Sequence, residues 1–136
     1  MIQNHSKSDQ VSDAQMIQVI ADFLDQGLVA NIVALFKAEP RYYALVGEIL
    51  KDERFAVRLG VSVLFEELKE ERPQEVGLAL PGLIPLLDPA TPAYVRGEAV
   101  SIIGMVGTDQ ALALLRPLCQ DDDPQVSEIA RDYLDG

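Results

Sequence analysis

The feature that most constrains this chain is an apolar pattern that returns along its length. Val57, Val61, Leu64, Phe65 and Leu68 stand at i, i+4, i+7, i+8 and i+11, the spacing of one helical face. Moved 38 positions on, the same offsets fall on Val95, Ala99, Ile102, Ile103 and Val106. A further shift of 31 takes the first four to Val126, Ala130, Tyr133 and Leu134. The preceding segments agree, with Ile49 and Leu50 answered by Leu86 and Leu87 and then by Leu118 and Cys119, and Pro85 by Pro117. The turns repeat as well: seven residues separate Leu50 from Val57, eight Leu87 from Val95 and seven Cys119 from Val126. An acid follows each first helix (Asp52, Asp88, Asp121), and Arg58 and Arg96 each follow the first valine of a second helix. One pair of short amphipathic helices cannot shelter its stripes alone, so a chain with this pattern is expected to stack its pairs into one continuous core.

Helix punctuation divides the chain into eight segments. Ser12 with Gln15 reads as a capping box opening a helix over 13–25, Gly27 breaks it, and a second helix over 28–38 stops before Pro40. A third is expected over 41–51 and a fourth over 54–70. The fifth, over 73–87, contains Pro81 and Pro85 and should be kinked. Thr91 as N-cap with Pro92 at the first helical position opens the sixth, and Gly107 suits a left-handed cap at its end. Thr108 caps the seventh, to about 119, and Asp123 with Pro124 begins the eighth, to about 134. Residues 1–11, polar and without a signal-peptide core, are expected to form a disordered tail ahead of one domain over 12–136. Its repeats run over about 12–40, 41–72, 73–107 and 108–136.

The phrases LVGEILKDERFAVRLGVSVL, LIPLLDPATPAYVRGEAVSIIG and LLRPLCQDDDPQVSEIARDYL resemble HEAT repeats, in particular the short bacterial HEAT-like type associated with phycobilin lyases. The resemblance implies an all-α fold, a right-handed HEAT/armadillo-like superhelix of about eight helices in four hairpins. It also implies a structural ladder of Asp52, Arg58, Asp88 and Arg96, in which the turn acid and the early arginine bond to one another or to a neighbouring repeat. The pair at 12–40 lacks that turn, and Ser127 stands where the last arginine is expected, so the ladder should stop there.

Charge narrows the partners. With 22 acids against 11 bases the chain carries −11, the wrong sign for a phosphate backbone or an anionic membrane surface. Over 73–136 there are three basic residues against ten acids, and the chain has no Trp, which argues against the basic, aromatic grooves of HEAT-fold glycosylases. No apolar run reaches membrane-span length; the longest, 76–87, is interrupted by Pro81 and Pro85. A lone cysteine, Cys119, makes no internal disulfide, so the cytoplasm is the expected location.

Residues with chemistry to offer are few. His5 falls in the tail, and the histidine–glutamate pairs of HEAT-type hydroxylases are missing. Cys119 aligns with Leu50 and Leu87 and reads as an aliphatic substitute rather than a nucleophile. Asp121, Asp122 and Asp123 lack the pattern of a calcium loop and suit a helix N-terminus. The sequence therefore points to a non-catalytic scaffold without cofactor or metal, presenting an acidic face of its second helices to a basic or apolar protein. The outward candidates are Ser62, Glu66, Lys69, Glu98, Ser101, Met105, Glu128 and Asp132. The alternative, implied by the resemblance alone, is a subunit or accessory of a bilin lyase; fold-level likeness does not carry activity with it.

Overall fold

The computed structural model describes residues 12–135, so the expected tail with His5, and Gly136, lie outside the described residues. Among the described residues there are eight α-helices and no strand: α1 Asp13–Asp25, α2 Val29–Ala38, α3 Val46–Ile49, α4 Phe55–Glu71, α5 Leu80–Leu83, α6 Ala93–Val106, α7 Asp109–Leu115 and α8 Pro124–Asp135. The chain is all-α over these residues.

Local chemistry sets several boundaries. Ser12 Oγ accepts from Gln15 N–H while the Gln15 side chain accepts from Ser12 N–H, closing the capping box of α1. Thr108 Oγ1 accepts from Ala111 N–H at the start of α7. Asp123 Oδ1 does the same for Gln125 and Val126 at the start of α8. Gly107 closes α6 at φ 68°, a left-handed conformation that a Cβ would strain.

Four expectations are revised. The segment at 41–51 is a 3₁₀ helix, Pro40–Leu45, running into the single turn of α3. The segment at 73–87 is broken further, with α5 flanked by 3₁₀ helices Val76–Ala79 and Ile84–Leu87, and α7 passes into 3₁₀ helix Arg116–Gln120. Pro40, Pro81, Pro85 and Pro117 each sit in the first turn of a new short element, where the missing N–H costs nothing but the preceding helix cannot continue. The sixth helix starts at Ala93 with Pro92 as its N-cap, rather than at Pro92 with Thr91 as the cap, because Pro92 takes extended backbone at ψ 140°.

The segments pack as successive pairs: α1 with α2, the α3 segment with α4, the α5 segment with α6, and the α7 segment with α8. The extensive contacts join elements of the same pair or of neighbouring pairs. Helices α4, α6 and α8 lie side by side and point the same way. Arg58 at the start of α4 meets Tyr94 at the start of α6, and Lys69 at its end reaches Val106 at the end of α6. Gly104 then packs against Tyr133 on α8. On the other side, α3 and α5 meet backbone to backbone at Gly47 and Gly82, where a Cβ on Gly47 would lie 2.1 Å from the Gly82 carbonyl oxygen.

The repeated stripe forms the floor of this packing. Val57, Val61, Leu64, Phe65 and Leu68 are buried, as are Val95, Ala99, Ile102, Ile103 and Val106. Tyr43 stands edge-on between Phe36 and Phe65, with ring centroids 5.0 and 5.9 Å away, and so ties α2 to α4. Ion pairs on the rim add to the joint: Arg54 reaches Asp22 and Asp25 of α1, and Lys37 of α2 meets Glu71 of α4.

Candidate functional site

One outward row of side chains differs between the parallel helices. On α4 it is Phe55, Leu59 and Val63, at i, i+4 and i+8. The shift of 38 places Ala93, Gly97 and Ser101 in that row on α6, and the further 31 places Pro124, Glu128 and Asp132 on α8. Bulky apolar, small and polar residues thus lie in turn across the same face. Where α6 offers only small side chains, the surface sinks into a groove of about 360 Å³, floored by Ala93, Gly97 and Ser101 and flanked by Phe55 and Ile129. Phe55 is 63% exposed, Leu59 51% and Tyr94 50%, so large apolar groups are left in water beside the groove.

Charge in the groove is of both signs. The Arg58 guanidinium lies 4.6 Å above the Tyr94 ring and 5.7 Å from that of Phe55. Its Nη1 donates to the carbonyls of Asp52 and Glu53, and its Nε stands 3.6 Å from Glu98 Oε2, beyond hydrogen-bond reach. Glu98 is half-buried and accepts no hydrogen bond among the described residues, and Glu128 is exposed on the opposite wall.

The equivalent arginine on α6 is placed otherwise. Arg96 Nη1 also donates to turn carbonyls, of Thr91 and Pro89, but its Nε and Nη2 grip both oxygens of Asp121 at 2.7 Å. That hydrogen-bonded pair holds the Asp121 carboxyl below the usual carboxylate range and raises the guanidinium in turn. A second cavity of about 360 Å³ opens over this pair between Leu87, Pro117 and Leu118, but its polar floor is already spent on itself.

The residues expected at a ladder therefore part company. Asp52 accepts from Arg54 through both oxygens, which lowers its pKa, while Arg58 takes only the Asp52 backbone carbonyl. Asp88 accepts from Ala90 N–H in its own turn and meets no arginine among the described residues. Of the outward candidates, Glu98, Ser101 and Glu128 line the groove. Ser62, Glu66, Met105 and Asp132 lie outside its lining, and Met105 packs partly into the core. Lys69 donates to the Val106 carbonyl at 2.7 Å, so its charge sits on the C-terminal end of α6 rather than facing outward freely. Phe55, Leu59 and Tyr94 were not among the candidates. Their signal was present in the sequence: the 38-residue shift that preserves the core turns Phe55, Leu59 and Val63 into Ala93, Gly97 and Ser101.

Cys119 is half-buried with its Sγ 3.8 Å from the Leu115 carbonyl. Among the described residues no three His, Cys, Asp or Glu side chains are grouped to hold a metal ion, and no helix is long and apolar enough to cross a membrane. Comparison with protein-family models, with curated proteins and with solved structures finds no match for this chain.

Proposed function

We propose that the chain is a HEAT-like right-handed α-solenoid, one domain over 12–136, acting in the cytoplasm as a non-catalytic scaffold that docks a basic or apolar protein on the α4–α6–α8 face. Support for the solenoid comes from the returning stripe, the parallel run of α4, α6 and α8, and extensive contacts within a pair or between neighbouring pairs. One observation carries the function: Phe55, Leu59 and Tyr94 stand in water beside a groove floored by residues too small to cover them. Leaving such groups exposed has no benefit to the isolated chain, and covering them is favourable at roughly 25 cal/mol per Å².

A photo-crosslinking amino acid placed at Leu59 or Ser101 in the full chain tests this against one placed at Glu48 on α3. The expected result is one protein species crosslinked from the groove positions and not from Glu48. Equal labelling from both faces, or none from the groove, rejects the reading.

A further inference from the structure

The two walls of the groove are unlike, and this difference specifies an occupant. Resting on the docking function just proposed, we infer that the partner binds as a basic amphipathic helix laid along α6, its apolar row against α4 and its lysines or arginines against Glu98 and Glu128. The outward row of α4 is apolar at i, i+4 and i+8 through Phe55, Leu59 and Val63, about 12 Å or two helical turns, with Phe55 lining the groove and Leu59 and Val63 exposed beyond it. On α8, Glu128 lines the groove and Asp132 continues its row one turn beyond the lining. An extended segment sends alternate side chains to opposite faces and fills only one wall at a time. A helix presents two rows at spacing four, one to each side, and so matches both.

Three further observations fit this occupant. Glu98 lines the groove and meets Arg58 Nε only as a loose ion pair at 3.6 Å, accepting no hydrogen bond among the described residues, whereas Asp121, the acid beside the equivalent arginine, is fully engaged. It retains the capacity to accept from an incoming cation. Gly97 has room for a methyl group, since its Cβ would lie 3.6 Å from Ile129 and 3.8 Å from Val126. Packing inside the chain therefore does not require glycine there, unlike at Gly47 or Gly104, and its effect is to lower the floor on which a helix would rest. Arg58, the cation of the groove, is 11% exposed and directs Nη1 into turn carbonyls, so it seals one end rather than repelling along the trough. With the whole chain at −11, the long-range field favours a basic partner too.

The test is fluorescence anisotropy of the full chain with a labelled Leu/Lys peptide of about four helical turns. A scrambled peptide of the same composition and a Leu/Glu peptide serve as probes of the face and of the sign. The amphipathic basic peptide should bind best. The pair Glu98→Lys with Glu128→Lys, and separately Leu59→Ser, should each weaken it by about tenfold or more, while Asp13→Lys with Glu48→Lys, equal in charge but elsewhere, should change it by less than about twofold. Unchanged circular dichroism shows that each variant is folded. Equal binding of the scrambled or acidic peptide, or equal loss from both charge reversals, overturns the helix assignment. If that happens while Leu59 still crosslinks a protein, docking stands and only the class of partner falls; if crosslinking also fails, both fall.

Discussion

Arg96 and Asp121 face each other as a two-pronged pair, Nε and Nη2 to the two carboxylate oxygens at 2.7 Å, with each side chain only 8% exposed. The pair joins the start of α6 to the turn before α8, across the boundary between two helix pairs. Arg58 occupies the same place on α4 and has no such partner, so one repeated residue acts as a clamp in one pair and as a groove wall in the other.

Removing one half of that clamp strands a buried charge. Arg96→Ala or Asp121→Ala should each cost about 3–5 kcal/mol, and a double replacement by apolar residues much less than the sum of the two. Asp121 titrates below its ordinary 3.8, so its contribution is present above that pH and disappears as pH falls through the lowered folded-state value. Urea unfolding followed from neutral to acid pH should show this loss in the native chain and a flatter curve in Asp121→Asn.

The same substitution at three glycines should act in opposite directions. Gly47→Ala forces a methyl into the Gly82 backbone, and Gly104→Ala drives one to 2.4 Å from the Tyr133 ring, so both should destabilise by about 1–3 kcal/mol. Gly97→Ala meets only ordinary contacts and removes a flexible residue from a helix interior, so it should stabilise by about 0.5–1 kcal/mol. Thermal midpoints of the three variants decide this directly; a loss at Gly97 would contradict the open groove.

Tyr43 carries a buried hydroxyl with no hydrogen-bond partner among the described residues. Burial, with help from nearby Glu75, pushes its ionisation up to about 12 from an ordinary 10.0. The unfolded chain releases this proton first, so stability should fall as pH rises from 10 toward 12. Tyr43→Phe should leave neutral-pH stability unchanged or slightly raised, because no bond is lost, and should remove part of the alkaline decline. Chemical denaturation at neutral and alkaline pH checks both statements.

Core and groove should separate cleanly by energy. Ile102, fully buried on the inner face of α6, should cost about 2–5 kcal/mol on replacement by Ala. Leu59→Ser on the exposed row should stay within about 0.5 kcal/mol, since Leu59 is 51% exposed and lies outside the buried core. A large loss at Leu59 in urea unfolding would make it a core residue and remove it from the docking surface.

Much of the local structure was legible because its signals lie within a few residues. Ser12 with Gln15, Thr108, Asp123 with Pro124, and Gly107 mark helix ends through bonds or angles made on the spot. The stripe from Val57 to Leu68 and its echo from Val95 to Val106 identified the buried face. The segments around Pro40, Pro81 and Pro85 were harder, because a proline marks an interruption without saying whether α or 3₁₀ turns follow it.

The sequence by itself determined where α1, α7 and α8 begin, which faces the long helices bury and that the pattern returns, since hydrogen bonding and helical spacing are properties of neighbouring residues. Only the tertiary structure decided which acid each arginine meets, that Lys69 turns onto Val106, and that Ala93, Gly97 and Ser101 line one groove with Phe55. Those outcomes depend on how closely one helix approaches the next, a distance set by Gly47 against Gly82 and Gly104 against Tyr133, pairs remote in the chain.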